Sequence, residues 1–232
     1  MSYGFTVEVR GDYACFSRPE LKVERVSYEV MTPSAARGIL EAVFWKPQIK
    51  YVIDEIAVCA PVKWENIRRN EVNSKISCQS IESTVKTLAE GKLEIHAADT
   101  DNRAQRAAIV LRDVHYVIKA HFELTGKADR TDSWDASGKY TAMIRCRLEK
   151  GKCFHMPYLG TREFPAKVSL IADDAYTPIP ETRSLGLMFF DFEYETTTNE
   201  YGDTLVTEFK PQYFMAELQN GVIDLRNVRK LS

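Results

Sequence analysis

No run of eighteen apolar residues occurs in the 232-residue chain, so no transmembrane helix is expected and no membrane partner. The opening MSYGFTVEVR lacks a charged segment followed by an apolar one, which argues against a secretory signal. Cysteine is sparse: there are five, an odd number without CxxC spacing, which argues against a disulfide framework and a zinc site. GxxxxGK(S/T), GxGxxG, HExxH and GxSxG are all absent, so nucleotide, dinucleotide, zincin and esterase readings have no support. Neither a metal nor a cofactor is expected, and a reducing, cytoplasmic setting fits the cysteine usage.

What is present suits a packed domain. Hydrophobic residues make up 44% and charged residues 28%, at a length that allows one large domain or two modest ones. Thirty-one Lys and Arg against 33 Asp and Glu leave a net charge of -2. That near balance hides an asymmetry. Between Asp173 and Glu208 nine acidic residues face one basic, Arg183, a local charge of -8, so the remainder carries +6. A basic body suits an anionic partner such as nucleic acid.

Residues 3–10 alternate apolar and polar with the period of a half-buried strand. Thr32 can cap a helix that Pro33 begins, Ala36, Ile39, Leu40 and Val43 recur at helical spacing, and Pro47 stops it. Residues 51–64 read as a strand, 65–104 as a polar, irregular insertion, and 107–124 as a second long strand. A turn-rich link over 126–138 leads to a helix over 139–150, and strand reappears at 158–164 and 166–171. Short strands follow at 185–194, 205–214 and 221–225. The first 172 residues thus read β-α-β-β-α-β, the ferredoxin-like (RRM-like) order of an α+β fold. Such a sheet keeps one face free, often for RNA. Residues 173–232 are expected to form a small antiparallel β domain.

Strand 114–124 is the most informative segment. Side chains alternate, so His115, Val117, Lys119, His121 and Glu123 share one face, while Tyr116, Ile118, Ala120, Phe122 and Leu124 share an apolar one. Lys119 and His121 lie roughly 6–7 Å apart at the backbone and can reach one phosphodiester. Metal-free RNA cleavage needs a base for the ribose 2′-hydroxyl, a cation for the phosphate charge, and an acid for the leaving 5′-oxygen. Histidine and lysine supply these. A solvent-facing strand with a polar side is the plainer reading of the same pattern.

A basic run forms the second candidate: Lys139, Arg145, Arg147, Lys150 and Lys152, opposed only by Glu149, with Gly151 where a backbone can approach a ligand. A solvated helix face explains the run equally well. His155 can join such a site or simply pack. Trp45, Trp64 and Trp134 have rings able to stack on bases, although Trp45 at a helix end suits the core as well. Cys146, Cys153 and His155 read as packing residues, and Asp173-Asp174 as a solvated loop pair.

Several collinear segments resemble the CRISPR-associated RAMP protein of subtype I-C systems. They are residues 7–19 (VEVRGDYACFSRP), 27–47 (SYEVMTPSAARGILEAVFWKP), 111–122 (LRDVHYVIKAHF), 158–164 (YLGTREF), 185–189 (LGLMF) and 220–223 (NGVI). The resemblance spans nearly the whole chain apart from 65–104 and the acidic loops.

That resemblance implies a ferredoxin-like N-terminal domain and a small C-terminal β domain. It implies an endoribonuclease that cuts precursor CRISPR RNA in each repeat, at the base of a hairpin. Cleavage would need no metal and leave a 2′,3′-cyclic phosphate and a 5′-hydroxyl. The protein would then hold the 5′ handle beside the other subunits of a type I-C interference complex. Some members also cut DNA with a metal, so double-stranded DNA is a further implied partner. A family tyrosine at the end of the first helix falls on Phe44, next to Trp45 and Lys46 on the expected RNA surface. The family lysine falls on Lys119 and its histidine on His121, with His115 on the same strand face as the backup. Because Phe44 has no hydroxyl, Tyr28 or Tyr51 is expected to substitute for it, or the tyrosine is dispensable. A non-catalytic RNA-binding subunit is the alternative reading.

Overall fold

The computed structural model describes residues 4–21, 23–75, 77–87, 96–125, 136–198 and 204–231. Strand β1 (Phe5–Ala14) buries Phe5, Val7 and Val9 and turns Glu8 and Arg10 the other way. Helix α1 (Pro33–Val43) starts where Thr32 Oγ1 accepts the Ala35 amide at 3.3 Å. Its stripe of Ala36, Ile39, Leu40 and Val43 is buried, and the chain turns extended at Phe44. Then follow β2 (Ile49–Val58), β3 (Trp64–Val72), α2 (Cys78–Thr87), β4 (Arg103–Leu124) and α3 (Ala136–Glu149). β5 (Lys167–Ile171), β6 (Arg183–Thr198), β7 (Thr204–Leu218) and β8 (Val222–Asp224) complete the order.

The main sheet runs β5-β1-β4-β2-β8, every pair antiparallel. β4 sits at its centre because its apolar set, Tyr116, Ile118, Ala120 and Phe122, is matched across strands by Val9, Val7, Phe5 and by Val58, Ile56, Ile53, Tyr51. α1 and α3 cover this face. Removing the Ile118 side chain beyond Cβ is worth about 2–5 kcal/mol, the usual cost of a cavity in such a layer. The opposite face is crossed by the segment after β5, where Thr6 bonds Asp173 and the Ile179 amide reaches Val58 O at 2.8 Å. Among the described residues no helix is long and apolar enough to cross a membrane.

Three expectations change. Residues 64–72 form β3 rather than irregular chain, because they pair residue for residue with the first half of β4, from Trp64↔Leu111 to Val72↔Arg103. Part of the remaining insertion is α2, whose described side chains are mostly exposed. Residues 158–164 are not a strand: Tyr158 bridges Pro165, and Gly160 turns at φ 84°, where a Cβ would collide with the Cys15 carbonyl. β6 and β7 form a separate two-stranded sheet, while β8 extends the main one along β2. The hairpin is tied to α1 by Arg37, whose Nε and Nη2 donate to Asp191 at 2.6 and 2.9 Å and whose Nη1 reaches Glu41 at 2.7 Å.

Candidate active site and nucleic-acid interface

The face of β4 opposite the helices carries His115, Lys119 and His121 as alternation requires, but each of these three bases has a carboxylate partner. His121 Nδ1 lies 2.8 Å from Asp54 Oδ2, and His115 Nε2 lies 2.9 Å from Glu8 Oε1. Lys119 Nζ is 3.3 Å from Glu55 Oε2 and 5.8 Å from the Tyr176 ring. Hydrogen bonds to Tyr176 and Glu55 outweigh partial burial and hold its ammonium charged above the usual lysine range. Burial, followed by repulsion from Arg10, keeps His115 below the ordinary imidazole value despite Glu8. This face is a set of neutralised pairs, which weakens its pull on a phosphate. The His121–Asp54 contact nevertheless fixes one ring nitrogen and leaves Nε2 able to act as a base.

Phe44 does not join Lys119 and His121. Its ring is buried among the helices, 6.5 Å from Tyr140, which also meets Phe122 edge-on at 6.4 Å. Phe122 and His121 are neighbours on a strand and therefore point to opposite faces. Position 44 and the strand pair thus lie on opposite sides of the sheet. The expected substitutes are also committed elsewhere. Tyr51 donates its hydroxyl to Phe44 O at 2.7 Å, and Tyr28 accepts from the Phe189 amide at 3.3 Å. Both are buried, and burial raises both phenols above their ordinary range.

The neighbours of Phe44 come instead from α3 and the loop behind it. The Arg147 guanidinium stands 5.4 Å from the Phe44 ring centroid and donates through Nη1 to Val43 O at 3.1 Å. At 100° per residue, Lys139, Arg147 and Lys150 fall within an arc of about 80° that borders Tyr140, and Arg145 lies well outside it. Gly151, at φ 60°, turns the chain so that the Phe154 and His155 amides both reach Ala42 O, at 2.8 and 3.3 Å. His155 stacks on Tyr158 with ring centroids 6.4 Å apart. Lys46, Lys152 and Phe154 are exposed here, and Trp45 is 56% exposed rather than part of the core.

This junction of α1 and α3 gathers cations, a phenol, an imidazole and open aromatic rings. Arg147 has no carboxylate partner among the described residues, in contrast to the strand face. Sequence reasoning singled out the basic residues and His155 but missed Tyr140, whose only signal was its position one residue beyond Lys139. Trp64 sits at the start of β3, 46% exposed and far along the sheet from this cluster. Trp134, Glu200 and Asp203 lie outside the described residues.

A family model described as CRISPR-associated protein (Cas_Cas5) matches residues 4–226. The chain is 44% identical over 231 residues to the CRISPR pre-crRNA endoribonuclease Cas5d of Mannheimia succiniciproducens, covering 97% of this chain and 96% of the relative. It is 38% identical over 228 residues to the protein of the same name from Thermus thermophilus, covering 94% and 90%. Among solved structures, a CRISPR-associated protein superposes with TM-score 0.68 at 24% identity, over 97% of this chain and 93% of that one. A functionally uncharacterized protein from Streptococcus mutans gives 0.65 at 23%, with the same coverage. The two structures support a common fold.

Proposed function

Since the chain belongs to the CRISPR-associated Cas5 family, we propose that it is an endoribonuclease cutting precursor CRISPR RNA within each repeat. In this reading it works without a metal, keeps the 5′ handle, and remains a cytoplasmic subunit of a type I-C interference complex. Residues 1–172 act as a ferredoxin-like unit, a reading supported by the order β5-β1-β4-β2, with 65–104 inserted and 173–232 as the smaller β part.

The observation that carries the site is the contact of Phe44 with Tyr140 and Arg147, at the position where the resemblance puts the family's tyrosine. Tyr140 supplies the hydroxyl that Phe44 lacks and orients the attacking 2′-oxygen. Arg147 and Lys139 stabilise the charge on the pentacovalent phosphate, and the His155 imidazole moves the proton. Trp45 and Phe154 stack on flanking bases, while Lys46, Lys150 and Lys152 hold the backbone. A second reading places catalysis at Lys119 and His121, with His115 in reserve. The 2.8 Å contact of Asp54 with His121 favours it, and the carboxylate beside every base there disfavours it.

Cleavage of the chain's own repeat RNA in EDTA tests the function. The unmodified RNA should be cut to a 2′,3′-cyclic phosphate, and RNA with a 2′-deoxy nucleotide 5′ of the scissile phosphate should bind and stay intact. Cutting of the deoxy substrate, or an absolute need for magnesium, overturns the mechanism. Tight binding without any cutting would instead make the chain an RNA-holding subunit.

A further inference from the structure

A cavity of about 310 Å³ opens beside the α1–α3 junction, between the end of α3, the turn through Gly151 and the start of β5. Its lining is largely apolar: Val43, Leu148, Pro157 and Ala166 are buried there, and Val168 is half-buried on the sheet face it shares with its strand partner Val9. The charged lining residues are Arg147, Lys152 and Lys167, and no carboxylate is among them. Lys167 alternates with Val168 and so turns to the other face of the sheet, which leaves Arg147 and Lys152 as the cations at the cavity.

Arg147 also belongs to the site described above. Its Nη1 donates to Val43 O at 3.1 Å and its guanidinium stands 5.4 Å from the Phe44 ring, so one side chain borders both the cavity and the proposed reaction centre. The loop that forms one wall is tied along its length. The Lys152 amide donates to Arg147 O at 2.8 Å, the Phe154 amide to Ala42 O at 2.8 Å, and the Ala166 amide to Pro157 O at 2.9 Å. A cavity held in this way costs little ordering free energy to fill.

We propose that the cavity receives one unpaired nucleobase of the repeat RNA, next to the phosphate that Arg147 holds, a role that rests on the endoribonuclease reading. Apolar walls suit the two faces of a base, a guanidinium plane can stack on it, and the volume lies at the lower end for small-ligand sites. The two cations match the phosphates on either side of such a base. An apolar side chain of a protein partner would bring no such charge. The lining side chains offer no carboxylate, amide or hydroxyl, so none pairs a donor and an acceptor with a base edge. The cavity therefore reads whether an unstacked base is present and how large it is, because an apolar pocket discriminates weakly among similar shapes.

Equilibrium binding of the full chain to its own repeat RNA tests this. A 2′-deoxy nucleotide at the cut position keeps the RNA intact, and abasic sites are placed one at a time in the unpaired nucleotides flanking the cut. One abasic position should weaken binding about tenfold or more, about 1.4 kcal/mol. Exchanging adenine and guanine there should change affinity by less than about threefold. Val168→Phe extends a ring into the cavity from a half-buried position, and it should bind the unmodified RNA as weakly as the abasic one. Should melting fall in that variant, Cys153→Trp fills the cavity from its exposed side instead. The proposal is overturned if no abasic position matters in the wild type, if the filled variant keeps the full abasic penalty, or if adenine and guanine differ strongly. Absence of the penalty while the all-ribose repeat is still cut sinks the cavity alone. The penalty without any cutting sinks the endoribonuclease reading and leaves the base pocket on an RNA-holding subunit.

Discussion

Tyr140 of α3 faces Phe44 at the end of α1, their rings 6.5 Å apart and tilted by 46°. This contact places a phenol beside the one position where the chain departs from the tyrosine its resemblance leads one to expect. The Arg147 guanidinium stands 5.4 Å from the same Phe44 ring, so in the proposed site a hydroxyl can be carried by either residue.

Tyr140→Phe should therefore lower the single-turnover cleavage rate about 10- to 100-fold without changing RNA affinity, since the lost hydroxyl acts mainly at the transition state. Adding Phe44→Tyr to that variant should restore a measurable part of the rate. Phe44→Tyr alone preserves ring volume and should shift stability by less than about 1.5 kcal/mol. Absence of any rescue in the double variant would separate the two positions functionally.

RNA stacking can be read independently of cleavage. Trp45→Ala and Phe154→Ala should each cost about 1–3 kcal/mol of repeat RNA affinity, the usual worth of a base on an aromatic ring. Both residues are exposed, so thermal melting should stay within a degree or two. Unchanged affinity in both variants would place the RNA elsewhere.

The anchor of the hairpin predicts a stability effect. Arg37 makes three charged hydrogen bonds, and Arg37→Met leaves Asp191 and Glu41 unpartnered by it. A loss of about 1–3 kcal/mol is expected, as for hydrogen bonds to charged groups. Chemical denaturation checks this, and Arg37→Lys should recover only part because lysine cannot bridge two oxygens as a planar fork.

Stability should also fall on the acid side through His115. Burial and Arg10 hold its imidazole below the ordinary value, so the folded chain binds fewer protons there than the unfolded one. The stabilising contribution is complete above the ordinary histidine value of about 6.5 and is lost as pH falls through the lower folded value. Glu8, held low by its hydrogen bond from Arg10, acts in the same direction at still lower pH. Melting temperature followed from roughly pH 8 to 5 should decline, and His115→Gln should flatten the first part of that decline.

Much of this architecture follows from local pattern. The alternation in 114–124 fixes which face of β4 is buried, and Thr32-Pro33 fixes the start of α1, although the helix ends at Val43 rather than at the Pro47 stop. β3 is hidden because Ile67 is the one aliphatic residue in its interior, and its strand state comes from pairing with β4 rather than from its own sequence. The alternation of β6 is hidden by the extra residue Phe190, which breaks the period of two. The site was half legible. Lys139, Arg147, Lys152 and His155 stand out as charges near a glycine, but the meeting of Arg147 with position 44 depends on α3 crossing the end of α1, a contact across roughly a hundred residues. Lys119 and His121 were correctly assigned to one face, while the carboxylates opposite them came from β2, whose bulge near Asp54 no local pattern reveals.

In the proposed mechanism the α1–α3 junction cuts the RNA. Single-turnover cleavage of the repeat in EDTA, at saturating protein, compares His155→Ala and Arg147→Ala with His121→Ala. The first two should lose about 10²–10⁴ in rate, the range for an acid–base group or an aimed cation, while His121→Ala should stay within a few-fold of wild type. A large loss in His121→Ala with near-normal cleavage by the other two would contradict this mechanism and move the chemistry to the far face of the sheet.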